Sequence, residues 1–111
     1  MIHQDLTPEK WQAQSLWLQL ANIGSEVHRA ISWQERGNEA QKDAAVARGI
    51  ELFNLTMSGN IGQARRREVG RAKEVFVDFL YGGNSYKTTA QSLNNYFLHY
   101  TLMAQKERGV V

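Results

Sequence analysis

Apolar side chains recur along this chain at steps of three and four rather than in alternation, a spacing that predicts helices from end to end. Leu16, Leu20, Ile23, Val27 and Ala30 form the first such stripe. Upstream of it, Thr7-Pro8-Glu9 makes a helix start: Thr7 can accept a backbone N–H, Pro8 lacks the N–H that would go unpaired, and Glu9 meets the positive end of the helix dipole. Gly37-Asn38 supplies the stop. One long first helix of about 28 residues is therefore expected, roughly 42 Å at ~1.5 Å per residue.

A second helix opens at Asn38 or Glu39, carries Val46, Ile50, Phe53 and Met57 on one face, and ends at Ser58-Gly59-Asn60-Ile61-Gly62. A third carries Val69, Ala72, Phe76 and Phe79 and stops at Gly82-Gly83-Asn84. The fourth begins near Ser85 as N-cap, with Leu93, Phe97, Tyr100 and Ala104 as its stripe. Val75-Phe76-Val77 alone would suit a strand, but residues 71–74 and 78–80 restore the helical period. Short turns give antiparallel neighbours, so the expected fold is all-α, a single domain over residues 1–111 built as an up-down-up-down four-helix bundle. The closing Arg108-Gly109-Val110-Val111 is expected to fray.

Composition agrees with one ordinary globular domain: 111 residues, 42% hydrophobic and 22% charged, with no cysteine for a disulfide or a thiolate metal site. Residues 88–105 hold no charge, yet Gln91, Ser92, Asn94, Asn95, His99 and Thr101 make them too polar for a membrane span. Met1-Ile2-His3-Gln4-Asp5 has neither a basic start nor an apolar run, so no signal peptide is read and a cytoplasmic protein is expected. Thirteen basic against eleven acidic residues give +2, a bias too weak to mark a nucleic-acid binder by itself.

Gly24, Gly49 and Gly70 fall inside predicted helices, where each costs about 1 kcal/mol relative to alanine. Folding the helices back about their turns sets Gly24 beside Glu51, Gly49 beside Arg71 and Gly70 beside Phe97. One layer would then hold all three glycines, with the rings of Tyr96, Phe97 and Tyr100 in the space they leave. The same counting puts Glu26 near Arg48 and Glu51 near Arg71, with Asn22, Arg29 and Asn54 a turn away. Asn22, Glu26, Arg29, Arg48, Glu51 and Arg71 thus form a candidate polar network. As structure it would fix helix register; as function, Arg48, Glu51, Arg71 and Tyr96 would border a small-anion or nucleotide site.

Charge is crowded at one place and missing from another. Arg65, Arg66, Arg67, Arg71 and Lys73, with Glu68 among them, form a candidate basic patch at the start of the third helix. Cations there oppose the dipole by about 0.3 kcal/mol or more each, so helix stability does not call for them. Contact with nucleic-acid phosphates or an acidic protein would, although no aromatic side chain is interleaved for base stacking. Residues 11–25 and 88–105, by contrast, lack any Asp, Glu, Lys or Arg and would run side by side. Their edge would present Trp11, Trp17, Leu18, Leu98 and Leu102, the composition of an oligomer interface, with a dimer the first expectation.

Signatures of catalysis are missing at every spacing tested. No Glu-x-x-His pair serves a di-iron centre and no two acids stand three apart for Mg²⁺, Glu74 and Asp78 being four apart. Neither His28 nor His99 follows an arginine by four to six residues, as in small helical ribonucleases. There is no serine elbow, and Gly59-x-x-Gly62 lacks the Lys-Ser/Thr of a phosphate loop. No catalytic residue, cofactor or metal ligand is expected; His28 and His99 read as packed and interface residues.

The segment Leu20-Ala21-Asn22-Ile23-Gly24-Ser25-Glu26-Val27-His28-Arg29-Ala30-Ile31-Ser32-Trp33 resembles a stretch found in small uncharacterised all-helical proteins of prokaryotes. Arg48-Gly49-Ile50-Glu51-Leu52-Phe53-Asn54-Leu55-Thr56 is similar to their second helix, and residues 71–79 more loosely to their third. The likeness covers about half the chain and brings no activity with it. It implies a compact helical protein of bacteria or archaea and draws notice to Asn22, Glu26, Arg29, Trp33 and Glu51. The expectation is a non-enzymatic, homo-oligomeric interaction protein; a nucleic-acid-binding accessory protein and a small-anion-binding bundle are the alternatives.

Overall fold

Capping decides where each helix begins and ends. In the computed structural model, which describes residues 6–109, five α-helices follow one another: α1 Pro8–Gln12, α2 Leu16–Glu35, α3 Glu39–Met57, α4 Gln63–Tyr81 and α5 Ala90–Glu107. The described residues contain no strand, as the helical periodicity requires. The readings made on residues 1–5 and on Val110 and Val111 lie outside the described residues.

Two boundaries differ from the sequence expectation. The long first helix is divided at residues 13–15, because Ser15 turns extended and its hydroxyl accepts the N–H of Leu18 at 3.1 Å, starting a new helix. Division lets α1 turn back over the end of α3, where Trp11 is 3% exposed and its indole N–H donates to Thr56 Oγ1 at 2.8 Å. Thr56 in turn donates to Gln19 Oε1 at 2.9 Å. The last helix starts at Ala90 rather than near Ser85. Ser85 donates its hydroxyl to Asp78 on α4, while Asn84 and Lys87 take positive φ and the Asn84 amide pairs with both backbone groups of Thr88. Thr89 and Ser92 then close a reciprocal capping box.

The α2–α3 turn follows its sequence signal. Gly37, at φ +74°, donates to the Gln34 carbonyl and Asn38 to that of Trp33, a Schellman ending, and Asn38 at once caps α3 through the Gln41 N–H. So tight a reversal keeps the two helices in register, and counting back from it places Glu26 against Arg48 as expected.

α2 is the shared partner, packed against α3 on one side and α5 on the other, while α3 packs against α4. α4 and α5 meet mainly through long side chains. The principal extents are 36 × 29 × 28 Å, the longest little more than the length of one long helix. Phe53 and Phe76, both fully buried, lie 6.0 Å apart between ring centroids, and Phe97 meets Phe53 edge-on at 6.2 Å. On α3 the inward face is rotated from the expected stripe: Leu52 and Thr56 are buried and Ile50 and Met57 only partly so. The rotation turns Gly49 toward the core, where a Cβ would stand 3.2 Å from the Phe76 ring.

The expected glycine layer holds in part. A Cβ on Gly24 would stand 2.6 Å from Phe97 Cβ, so α2 and α5 touch there because no side chain intervenes. Gly49 faces Phe76 rather than Arg71, and Gly70 faces Met57 Sδ at 3.6 Å rather than Phe97. The α3–α4 turn is the cause: residues 58–62 cross the end of the helices beneath α1, with Gly59 buried against Gln12, which displaces α4 along α3 from the counted register.

The two exchanges Gly24→Ala and Gly70→Ala have opposite expected signs. At Gly24 overpacking of about 1–3 kcal/mol exceeds the helix-propensity gain, so urea unfolding should show a lower midpoint. At Gly70 the added methyl meets ordinary contact distance, and stability should rise by up to about 1 kcal/mol.

Candidate functional site

Glu26 is the centre of what remains of the expected polar network. It lies on α2 facing α3, its side chain 8% exposed, and accepts from Arg29 Nη1 at 2.6 Å and from Arg48 Nε at 3.0 Å. Two guanidinium groups on one carboxylate satisfy an anion that burial would otherwise penalise. Asn22 instead donates to Gln14 Oε1 at 3.2 Å, tying α2 to the residue before its cap. Among the described residues no bond joins Glu51 to Arg71. Glu51 borders a shallow groove with Pro8 and Asn54, whereas Arg71 lies across the bundle with its guanidinium 5.6 Å from the Tyr86 ring centroid. Of the six residues expected to form the network, bonds join Glu26, Arg29 and Arg48; the displacement of α4 along α3 separates Arg71 from Glu51, and Asn22 is taken up by Gln14. Trp33 carries the Arg36 guanidinium over its ring at 5.0 Å.

The basic start of α4 turns out to be built into the fold. Arg66 donates to the carbonyls of Met57 and Gly59, both at 2.9 Å, and so caps the C-terminus of α3. The cation that opposes one helix dipole favours the neighbouring one, and α4 accepts an N-cap, Gly62, with no side-chain bond. Lys73 donates to Asn54 Oδ1 at 2.8 Å. Arg65 lies 5.0 Å from the Trp17 ring centroid and 3.6 Å from Glu68. Arg67 enters no such contact among the described residues. Sequence reasoning missed the uses of Arg66 and Lys73 because their acceptors belong to another helix or turn.

The uncharged edge survives in reduced form. Trp11 does not belong to it, being buried on Thr56. Trp17 is half-covered, stacked on Tyr100 at 5.7 Å and 17° with Arg65 on it. Leu18 is partly buried, while Leu98 and Leu102 are 52% and 50% exposed. Beside them runs a groove between α2 and α5 of about 400 Å³, floored where Gly24 meets Phe97 and flanked by Ala21, Ser25, Asn95 and Leu98. Leu18, Ala21, Ser25 and His28 follow one stripe of α2 at steps of three, four and three, so the groove continues the edge.

A tyrosine cluster closes the gap between α4 and α5. Tyr100, buried, donates to Glu68 Oε1, and its hydroxyl lies 3.1 Å from that of Tyr96, which also reaches Glu68 at 3.4 Å. Burial raises the Tyr100 phenol well above its ordinary value, helped by the Glu68 carboxylate that holds the proton. At the far end of α4, Tyr81 donates to Asp43 of α3 and covers Lys42, whose ammonium lies 4.6 Å from the ring and 2.7 Å from Glu39. Desolvation first and the Asp43 hydrogen bond second push Tyr81 up to about 12.

Among the described residues no three His, Asp or Glu side chains stand close enough to hold a metal ion, and no helix is long and apolar enough to cross a membrane. Compared with known protein families, curated proteins and solved structures, the chain matches none.

All four tyrosines are shifted upward, so their protons are held more tightly folded than unfolded. Such a group adds stability below its ordinary value of 10.0 that is lost as pH rises through its folded value. Alkaline titration followed by phenolate absorbance should show little ionisation near pH 10, then a cooperative rise coincident with loss of helical circular dichroism between pH 10 and about 12. Tyr100→Phe removes one part of this coupling and should broaden the transition.

Proposed function

We propose that the protein is a non-enzymatic, four-helix-bundle interaction module of the cytoplasm that assembles with a second copy of itself through the uncharged face of α2 and α5. The observation that carries this reading is the half exposure of Leu98 and Leu102 in a stretch, residues 88–105, with no charged side chain. Large apolar residues scattered singly need no explanation, but two on successive turns beside a groove whose only charged lining residue is Arg29, at one end, make a contiguous patch. The face is about 27 Å long, the length of α5, and about 20 Å across two helices, an area of the order a stable dimer uses. α5 and α2 run antiparallel, so a twofold axis over the groove would set Leu98 and Leu102 of one copy against Leu18 and Ala21 of the other. The shallow groove lets one copy's leucines seat between the other's helices.

Docking to nucleic acid through Arg65, Arg66, Arg67, Arg71 and Lys73 draws less support. Arg66 and Lys73 are hydrogen-bonded within the fold and Arg65 is stacked and ion-paired, so intramolecular contacts account for their placement.

Sedimentation should give a dimer for the unmodified protein and a monomer for Leu98→Glu and for Leu102→Glu, with helical content unchanged. Arg67→Glu, away from the face, should remain dimeric. A monomer for the unmodified chain at high micromolar concentration overturns the reading.

A further inference from the structure

The most apolar of the surface clefts lies between α4 and α5. Because Gly24 draws α5 onto α2, and Tyr96 and Tyr100 stand between α5 and α4, an apolar cleft of about 280 Å³ opens between these two helices. Ala72 and Val75 of α4 form one wall, Leu93 and the Tyr96 ring the other. Glu68 and Arg71, one turn apart on α4, stand at its rim. Its lining is almost wholly apolar, the character of a small-molecule site, and its size suits a ligand smaller than most drugs.

The polar groups around the cleft are unequal in what they have left to offer. Glu68 receives the Tyr100 and Tyr96 hydroxyls and the Arg65 guanidinium, so its charge is already answered. The Ser92 hydroxyl is engaged with Thr89 in the capping box, and both backbone groups of Thr88 are bonded to Asn84. Arg71 is the cation that differs: among the described residues it enters neither ion pair nor hydrogen bond, its guanidinium carbon lying 5.6 Å from the Tyr86 ring centroid. A guanidinium with no hydrogen-bonded partner offers N–H groups whose fork matches a carboxylate with two parallel hydrogen bonds.

We propose that the α4–α5 cleft binds a small hydrophobic carboxylate, an aryl or branched-alkyl acid whose body lies against Ala72, Val75, Leu93 and the Tyr96 ring and whose carboxylate meets Arg71. The acid's charge complements the one cation at the rim with unused donors, and its apolar body removes the cleft walls from water. Of the sequence-predicted anion site, Arg71 and Tyr96 take part; Arg48 and Glu51 lie elsewhere. The site is separate from the α2–α5 groove, so it stands whether or not the protein self-associates.

Naphthoate and its neutral isostere naphthamide, titrated into the full chain and followed by amide NMR, test the proposal. Naphthoate should bind saturably, with shifts centred on Arg71, Val75 and Leu93, and about tenfold or more tighter than naphthamide, as a charge-assisted hydrogen bond implies. Arg71→Gln, at an exposed position, should lower naphthoate affinity to that of the amide and leave the amide's unchanged. Val75→Phe, which fills the cleft, should weaken both. Absence of saturable binding at millimolar naphthoate, equal affinity for acid and amide, or an Arg71→Gln variant that binds naphthoate as before would each overturn it; the glutamine exchange decides even where the phenylalanine variant fails to fold.

Discussion

The absence of a side chain at Gly24 is the constraint on which the rest of the arrangement turns. A methyl there would collide with Phe97 Cβ, so the α2–α5 spacing is set by backbone against an aromatic stem. Held that close, Phe97 reaches Phe53, which meets Phe76 of α4, and the three rings become the bridge from α5 through α3 to the helix that α2 barely touches. Closeness on one side leaves width on the other. α4 and α5 are kept apart by Tyr96 and Tyr100, and the cleft is the unfilled remainder of that width. Groove and cleft thus lie on either side of α5, one where the helices touch and the other where they part.

Charge is distributed to serve this packing. The carboxylates of Glu26 and Glu68 each collect several donors, one between α2 and α3 and the other between α4 and α5. Glu26, its side chain 8% exposed, is worth little by net attraction once desolvation is counted, yet removing a partner would strand a poorly solvated charge, so it selects against alternative helix pairings; Glu68 is open to water and constrains them less. Arg66 belongs to the same economy, since it gives two carbonyls at the end of α3 the partners a helix terminus lacks.

How much could be seen in the sequence depended on whether the deciding partner was near along the chain. Thr7 and Pro8, Gly37 and Asn38 marked real boundaries because caps and Schellman endings are local. Glu26 and Arg48 could be matched because a tight turn preserves the count. The same counting failed beyond residues 58–62, where the chain crosses the bundle end and Arg71 is carried away from Glu51. Ser15 stands just before the stripe that opens at Leu16, a local cap passed over by reading one continuous helix from Pro8; the contact that goes with the break, Trp11 on Thr56, spans forty-five positions. The Arg65 stack on Trp17, and the open cleft beside Tyr96, involve helices that no local pattern relates. The half exposure of Leu98 and Leu102 was legible in kind, as an uncharged edge, but the removal of Trp11 from it was not.

The indole of Trp11 also says something about the sequence of events as the chain folds. α1 has five residues, far below the roughly 12–15 at which an isolated helix holds itself in water. Its receptor, the hydroxyl of Thr56 already oriented by Gln19, exists only after α2 and α3 have paired. The amino-terminal arm is therefore a latecomer: it closes over a body already assembled, and it is the first part to let go when that body loosens.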